Sequence, residues 1–182
     1  GAVSQVYLSR APDELRAGQL APFALKAIAG LARTGTGPLL FAGIAAPAVF
    51  PWIFGADWQR AGQMVAWMTP WFILQLLSSP VSMSLHVTGN QRIALMLQVF
   101  GLVLRVGATG LAALFASAQI FEFYAASGLV FYAAYLLAVA HVTKINGWDL
   151  SRALAGRPQM TLVWVIAGLA VAGVATLVRH PF

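Results

Sequence analysis

The chain has no cysteine and few charged residues. Its 182 residues include five Asp and Glu against eleven Lys and Arg, and charged residues of both signs make up 9% of the total. Without cysteine, disulfide bonds and thiolate metal ligands are excluded. An ordinary soluble domain is about 25% charged, so the polar surface of such a domain is missing here. The excess of apolar surface requires lipid as its solvent.

Hydrophobic residues make up 60% of the chain, and the mean hydropathy is +0.79. They fall into stretches close to the roughly 20 residues that a membrane-spanning helix needs. Five complete spans are predicted over residues 38–54, 63–87, 93–115, 120–142 and 160–178. The predicted fold is therefore an all-α, polytopic bundle of transmembrane helices. Lys144–Gln159, between the last two spans, is predicted to be a polar loop.

Residues 1–37 precede the first span. Gly1–Ser9 are interpreted as the end of an apolar helix, and Arg10–Arg33 as a basic amphipathic helix on the membrane surface, because polar and apolar residues recur at helical intervals. The chain starts with Gly and without a signal peptide pattern, so we expect a fragment of a longer protein.

The formal charge of +6 comes from Lys and Arg in short connections, which indicates membrane topology and not a nucleic-acid partner. Eight basic residues lie on one predicted side: Arg10, Arg16, Lys26, Arg33, Arg92, Lys144, Arg152 and Arg157. Arg60 and Arg179 lie on the other side, and Arg105 lies within a span. The first side is predicted to be cytoplasmic by the positive-inside rule. Asp57 and Glu122 are expected at solvated helix ends on the other side.

Residues 54–106, with the sequence FGADWQRAGQMVAWMTPWFILQLLSSPVSMSLHVTGNQRIALMLQVFGLVLRV, resemble the oligosaccharide flippase family of bacterial polysaccharide biosynthesis. That family belongs to the superfamily of the multidrug and toxin extrusion exporters and the peptidoglycan lipid flippases. The matching residues are Phe54, Gly55, Trp58, Ala61, Gly62, Pro70, Trp71, Ser79, Pro80, Gly89, Gln91, Arg92 and Arg105. The resemblance covers about residues 1–145, and residues 160–178 have no counterpart in the pattern.

The resemblance implies part of the C-terminal half of a two-lobed flippase in the bacterial inner membrane. Its partners would be membrane lipids, a polyprenyl-pyrophosphate-linked oligosaccharide and an N-terminal half that this chain lacks. The alternatives are a drug exporter or peptidoglycan-precursor flippase of the same superfamily, or a small membrane assembly or anchoring protein.

Arg105 falls near the middle of the third span, where a charge costs about 2.5–3.5 kcal/mol on insertion scales. It shares one helical stripe with Gln91, Gln98 and Thr109. We expect this stripe to face the bundle interior, and the side that carries Leu97 and Leu104 to face lipid. Arg105 then either binds an anion or is tied to a carbonyl or carboxylate of a neighbouring helix.

A second polar stripe runs along one face of the predicted span 63–87. It consists of Gln75, Ser79, Ser82 and His86. These groups suit hydrogen bonds to a sugar and equally suit hydrogen bonds between helices. Trp71 is a candidate for stacking on a sugar, whereas the other tryptophans fit interfacial belts. The predicted substrate-binding residues are Arg105, Gln98, Gln75, Ser79 and Trp71.

The sequence contains no acid pair at a glycosidase-like spacing, no metal-spaced group of histidines and no phosphate-binding loop at the start of a helix. The chain is therefore not expected to be an enzyme. No catalytic residue, metal or cofactor is predicted.

The topology can be tested by single-cysteine labelling, because the natural chain contributes no background thiol. A cysteine at Ala56 should react with a membrane-impermeant maleimide added to intact cells, and one at Asn146 should react only after permeabilisation. Labelling of Asn146→Cys but not of Ala56→Cys in intact cells would reverse the orientation.

Overall fold

The computed structural model describes the backbone of residues 2–179; Gly1, residues 180–182 and the side chains of Ala2 and Arg179 lie outside the described part. Helices and short connections make up this part. The helices are α1 (Ala2–Arg16), α2 (Leu20–Phe54), α3 (Gln59–Val81), α4 (Met83–Val87), α5 (Gln91–Phe115), α6 (Ile120–Val142), α7 (Gly147–Ala155) and α8 (Pro158–Arg179).

Five helical segments are long and apolar enough to cross a membrane: Leu20–Phe54, Ala56–Val87, Gln91–Phe115, Ser117–Val142 and Pro158–Val178. Each segment contains one predicted span, and most of their bounds agree to within about three residues. The first two segments begin earlier than predicted, at Leu20 and Ala56 in place of residues 38 and 63. The predicted all-α, polytopic architecture is confirmed. The chain is a multi-pass membrane protein.

The spanning helices pack in the order α8, α2, α3, α6 and α5, and each contacts mainly its neighbours in that row. Each of the two outer helices packs mainly against one other spanning helix, α8 against α2 and α5 against α6. Only 11% of the apolar stretch of α5 and of α8 is buried within the chain, against 44% for the stretch that contains α6. In a bilayer, the remaining apolar surface of α5 and α8 faces lipid or another polypeptide.

The prediction of one amphipathic helix over Arg10–Arg33 is wrong, because the chain turns between α1 and α2. Gly18 has φ +69°, a conformation that glycine adopts without steric penalty. The N–H of Gln19 donates to the carbonyl of Glu14 at 2.7 Å and that of Gly18 to Leu15 at 3.1 Å. These two bonds are a Schellman motif, which satisfies the last carbonyls of α1 and redirects the chain.

No break separates residue 37 from residue 38. Helix α2 runs through Pro38, Pro47 and Pro51, and so joins half of the predicted surface segment to the first span in one 35-residue helix. At the end of the next span, the helix is instead interrupted at Ser82, two residues after Pro80. There α4 continues the chain and packs against α1, where the hydroxyls of Tyr7 and Ser84 lie 2.7 Å apart.

The predicted polar loop Lys144–Gln159 contains helix α7, so that prediction is also wrong. Asn146 caps the helix by accepting from the N–H of Trp148 at 3.3 Å. Leu150 and Ala153 are buried, and α7 packs on α2. A capping residue followed by apolar residues at three-residue spacing was the signal in the sequence.

Glycines permit the close packing of α2 on its two neighbours. A Cβ on Gly62 would collide with the backbone of Ala46 and lie 2.9 Å from Cα of Pro47. On the other side of α2, a Cβ on Gly37 would enter the ring of Trp164. Small residues at these positions allow the dispersion contacts that hold helices together in lipid.

Gly62→Ala should therefore destabilise the bundle by about 1–3 kcal/mol, because the backbone opposite cannot move out of the way as a side chain could. The matched control is Gly30→Ala in α2, where a Cβ meets no atom within 4 Å and helix propensity improves. The melting temperature of each variant is measured by thermal unfolding in detergent and compared with that of the unchanged chain. Equal melting temperatures for the two variants would contradict this account of the α2–α3 contact.

Candidate functional site

A cavity of about 350 Å³ lies between α3, α5 and α6. Its polar lining comes from all three helices and consists of Ser78, Ser79, Ser82, Gln98, Arg105, Tyr132 and Tyr135. Hydroxyl and amide groups of this kind hydrogen-bond water, sugars or a charged head group. Arg105 adds a fixed positive charge.

The cavity occupies one half of the bundle. Ser78–Ser82 are at the end of α3 that leads to Arg92, and Tyr135 lies in the second half of α6, which leads to Lys144. We call this the basic end of the bundle, and the end that carries Asp57, Arg60 and Glu122 the opposite end. Arg105, ten residues before the end of α5, marks the cavity's limit towards the opposite end.

Arg105 is surrounded by aromatic rings. Its Cζ atom lies 5.4 Å from the ring centroid of Trp71, 5.9 Å from that of Tyr124 and 5.4 Å from that of Phe131. Its Nε atom is buried and has no hydrogen-bond partner among the described residues. The ion pairs in that part of the chain involve Arg16 and Arg60, so Arg105 has no carboxylate partner there.

The structure brings three of the five predicted binding residues together, since Arg105, Gln98 and Ser79 all line the cavity. Gln75 instead lines a more apolar groove of about 540 Å³ between α1, α2 and α3, which Ser79 also borders. Trp71 is only 6% exposed and does not line the cavity. Its ring packs edge-on against Tyr124 and lies over Arg105, so it is not placed to stack on a sugar.

The predicted lipid-facing side of α5 is wrong. Leu97 and Leu104 pack against the hydrophobic core, whereas Met96 and Val103 are 70% and 64% exposed. The reason is that α5 contacts α6 through the small residue Gly101 and its neighbours on that face, which brings the flanking leucines inward. Composition alone does not distinguish one apolar face of such a helix from another.

The polar stripe of α5 is only partly interior. Gln98 and Arg105 line the cavity, although Gln98 is exposed, and Gln91 is exposed at the start of the helix, outside the cavity. The hydroxyl of Thr109 donates to the carbonyl of Arg105 at 2.7 Å, a local bond within the helix. The hydroxyl proton of Thr109 is therefore used in a bond to the backbone of Arg105, one turn earlier in the same helix.

Sequence reasoning missed the aromatic contribution of α6. Phe131, Tyr132 and Tyr135 line the cavity, and Tyr124 completes the surroundings of Arg105. Their spacing of seven, one and three residues places them on neighbouring parts of one helix face. That periodicity was the available signal.

Glu122 was expected to be solvated, and this prediction is wrong. Its carboxylate lies 2.7 Å from Nη2 of Arg60, which also donates to the carbonyl of Ala118 at 2.9 Å. The side chain of Glu122 is 17% exposed. The pair connects the start of α3 to the start of α6 at the opposite end of the bundle, whereas Asp57 is exposed as expected.

No protein-family model, curated protein or solved structure matches the chain. The resemblance to oligosaccharide flippases stays a prediction.

The chemistry of the cavity indicates which kind of ligand it could bind. In the described residues, His, Asp and Glu form no group suited to hold a metal ion, and the cavity lining contains no carboxylate. The cavity combines one cation with neutral hydrogen-bonding groups, an arrangement suited to binding a polar anion.

The Arg60–Glu122 pair should contribute modestly to stability. We expect Glu122→Gln to reduce the free energy of unfolding by about 0.5–1 kcal/mol, the range for a partly solvated ion pair. Asp57→Asn is the matched control, because Asp57 is exposed and forms no ion pair in the described part. A double-mutant cycle with Arg60→Gln isolates the coupling. Equal losses for Glu122→Gln and Asp57→Asn would show that the pair contributes nothing.

Proposed function

We propose that this chain is the C-terminal part of a flippase that moves lipid-linked oligosaccharide across the bacterial inner membrane for polysaccharide biosynthesis. The observation that supports this most is Arg105, a cation that lines a polar cavity inside a membrane bundle without a carboxylate partner in the described part. The positive charge binds the anionic linkage between lipid and sugar. The chain makes and breaks no covalent bond.

The physical basis is the low dielectric of the membrane interior. A positive charge there is expensive to maintain, and an isolated one attracts an anion more strongly than the same charge in water does. Guanidinium is planar and offers paired N–H donors, which match the oxygens of phosphate. A pyrophosphate linkage is the charged part of the proposed substrate.

The remaining lining supports the sugar-binding part of the proposal. Ser79, Gln98, Tyr132 and Tyr135 provide hydroxyl and amide groups that both donate and accept hydrogen bonds. The hydroxyl of Ser82 donates to the carbonyl of Ser79 at 2.7 Å, so it adds an acceptor to the lining. Such groups recognise polyhydroxylated molecules without adding charge. Leu102 of α5 also lines the cavity and is 64% exposed, so the lipid portion of a bound substrate would lie along the apolar surface of α5, in contact with the membrane.

Transport requires the cavity to communicate with each side in turn. The cavity lies towards the basic end, which the positive-inside rule predicts to be cytoplasmic, and the Arg60–Glu122 pair joins α3 to α6 at the opposite end. We propose that this arrangement belongs to a state that receives substrate from the cytoplasm. Rocking of this bundle against the N-terminal half would then expose the substrate to the periplasm.

The alternatives fit the cavity less well. A drug exporter for cations favours a carboxylate in the cavity, and none lines it in the described part. A protein that only anchors or assembles others has no need for a guanidinium facing a polar cavity. A peptidoglycan-precursor flippase would handle the same pyrophosphate chemistry, and the identity of the sugar separates it from the function proposed here.

Arg105→Ala should abolish or strongly reduce glycan export while the protein remains in the membrane. Removal of the charge eases insertion, so a loss of export at normal abundance reflects a lost anion contact. Export is measured as surface polysaccharide, and abundance by immunoblot of membranes. Arg105→Lys separates a point-charge role, which leaves partial activity, from bidentate recognition, which does not.

Gln91→Ala is the control variant, because Gln91 is an exposed polar residue of the same helix outside the cavity. It should export normally. Normal export by Arg105→Ala, or its disappearance from the membrane, would refute a substrate contact. Accumulation of a peptidoglycan precursor in place of the glycan intermediate would identify the related flippase.

A further inference from the structure

We infer that Trp71, Tyr124 and Phe131 form an aromatic cage that holds Arg105 in position without neutralising its charge. This inference rests on the proposed anion site at Arg105. It assigns a positioning role to three residues, one on α3 and two on α6, and an enabling role to the two glycines against which the rings pack.

The geometry of the cage is that of cation–π contacts. The guanidinium carbon lies within 5.4 to 5.9 Å of all three ring centroids. A cation near the negative face of an aromatic ring is attracted by the ring quadrupole, most strongly by tryptophan, and the attraction increases where water is excluded. The rings thus supply the stabilisation that a carboxylate would otherwise provide.

An aromatic ring and a carboxylate differ in how much of the positive charge of an arginine they leave uncompensated. In the same bundle, Arg60 is paired with Glu122 at 2.7 Å, and that pair carries no net charge. Arg105 has neutral neighbours, so its full positive charge remains. Because its Nε atom is buried, the terminal Nη groups are the part of the guanidinium that a ligand in the cavity can reach.

Two glycines make room for the rings. A Cβ on Gly128 would lie 2.5 Å from the indole of Trp71, and a Cβ on Gly101 would lie 2.5 Å from the ring of Phe131. Gly101 is four residues before Arg105, so it is on the same face of α5. The same face of α5 therefore leaves room for the ring of Phe131 at Gly101 and carries the guanidinium of Arg105 that lies over that ring.

The choice of tryptophan at position 71 supports an electrostatic role. Its Nε1 atom is buried and has no hydrogen-bond partner among the described residues. Burial of an unpaired N–H is unfavourable, and a phenylalanine or leucine would fill space without it. The electron-rich face of the indole, directed at Arg105, offsets that penalty.

Fluorination of the Trp71 ring tests the cage with almost no change of shape. Fluorotryptophans with one to four fluorine atoms are incorporated at residue 71 of the full chain in lipid nanodiscs, and the melting temperature is measured. The same series is made in Arg105→Met. Trp67, a 56% exposed tryptophan of the same helix, is the site control.

We expect the melting temperature to fall stepwise with fluorination of Trp71, by about 2–4 °C over the series, when residue 105 is Arg. It should stay flat in Arg105→Met and at position 67. Equal slopes in the Arg105 and Arg105→Met backgrounds would overturn the cage, because Trp71 would then only fill space.

Binding of inorganic pyrophosphate, measured by calorimetry in nanodiscs, distinguishes this inference from the proposed function. Gly101→Ala displaces Phe131 and should weaken binding roughly tenfold, a loss of about 1.4 kcal/mol. Gly107→Ala, on the same helix with no atom within 4 Å of the added Cβ, should bind normally. Undiminished binding by Arg105→Met refutes the anion site itself. Loss of binding in Arg105→Met together with normal binding in Gly101→Ala refutes only the cage.

Discussion

Arg105 places a positive charge midway along α5, where lipid cannot solvate it, so the helix must turn that side chain towards α3 and α6. The arrangement of the residues around Arg105 follows from this constraint. Aromatic rings of α3 and α6 surround the guanidinium, and glycines on α5 and α6 let the rings approach. The hydroxyl groups towards the basic end of the bundle then lie beside the charge, in one cavity.

Arg60 and Arg105 are stabilised in different ways. At the opposite end, where water is near, Arg60 is neutralised by Glu122 and joins two helix ends. In the centre, Arg105 is held by neutral rings. The Arg60–Glu122 pair carries no net charge, whereas the positive charge of Arg105 is not compensated by a carboxylate in the described part. For this reason we propose the anion contact at Arg105 and not at Arg60.

Much of the architecture could be predicted because lipid imposes simple rules on composition and length. Apolar stretches near 20 residues had to become spanning helices, since backbone groups cannot remain unpaired in hydrocarbon. The same rules predicted that Arg105 faces protein. They did not predict the turn at Gly18, the helix within Lys144–Gln159 or the inward side of Leu97, because each depends on local capping or on which small residues meet across a helix interface.

The sequence by itself determined that the chain is a multi-pass helical membrane protein, and that one arginine lies at a depth where it needs protein or water around it. Only the tertiary structure decided which residues provide those surroundings. Arg105 contacts Trp71, Tyr124 and Phe131, which come from other helices. Gln75 lines a different groove. Glu122 of α6 pairs with Arg60 of the neighbouring helix α3. Periodicity defines the faces of one helix, but contacts between helices depend on how side-chain volumes fit together, which no single segment encodes.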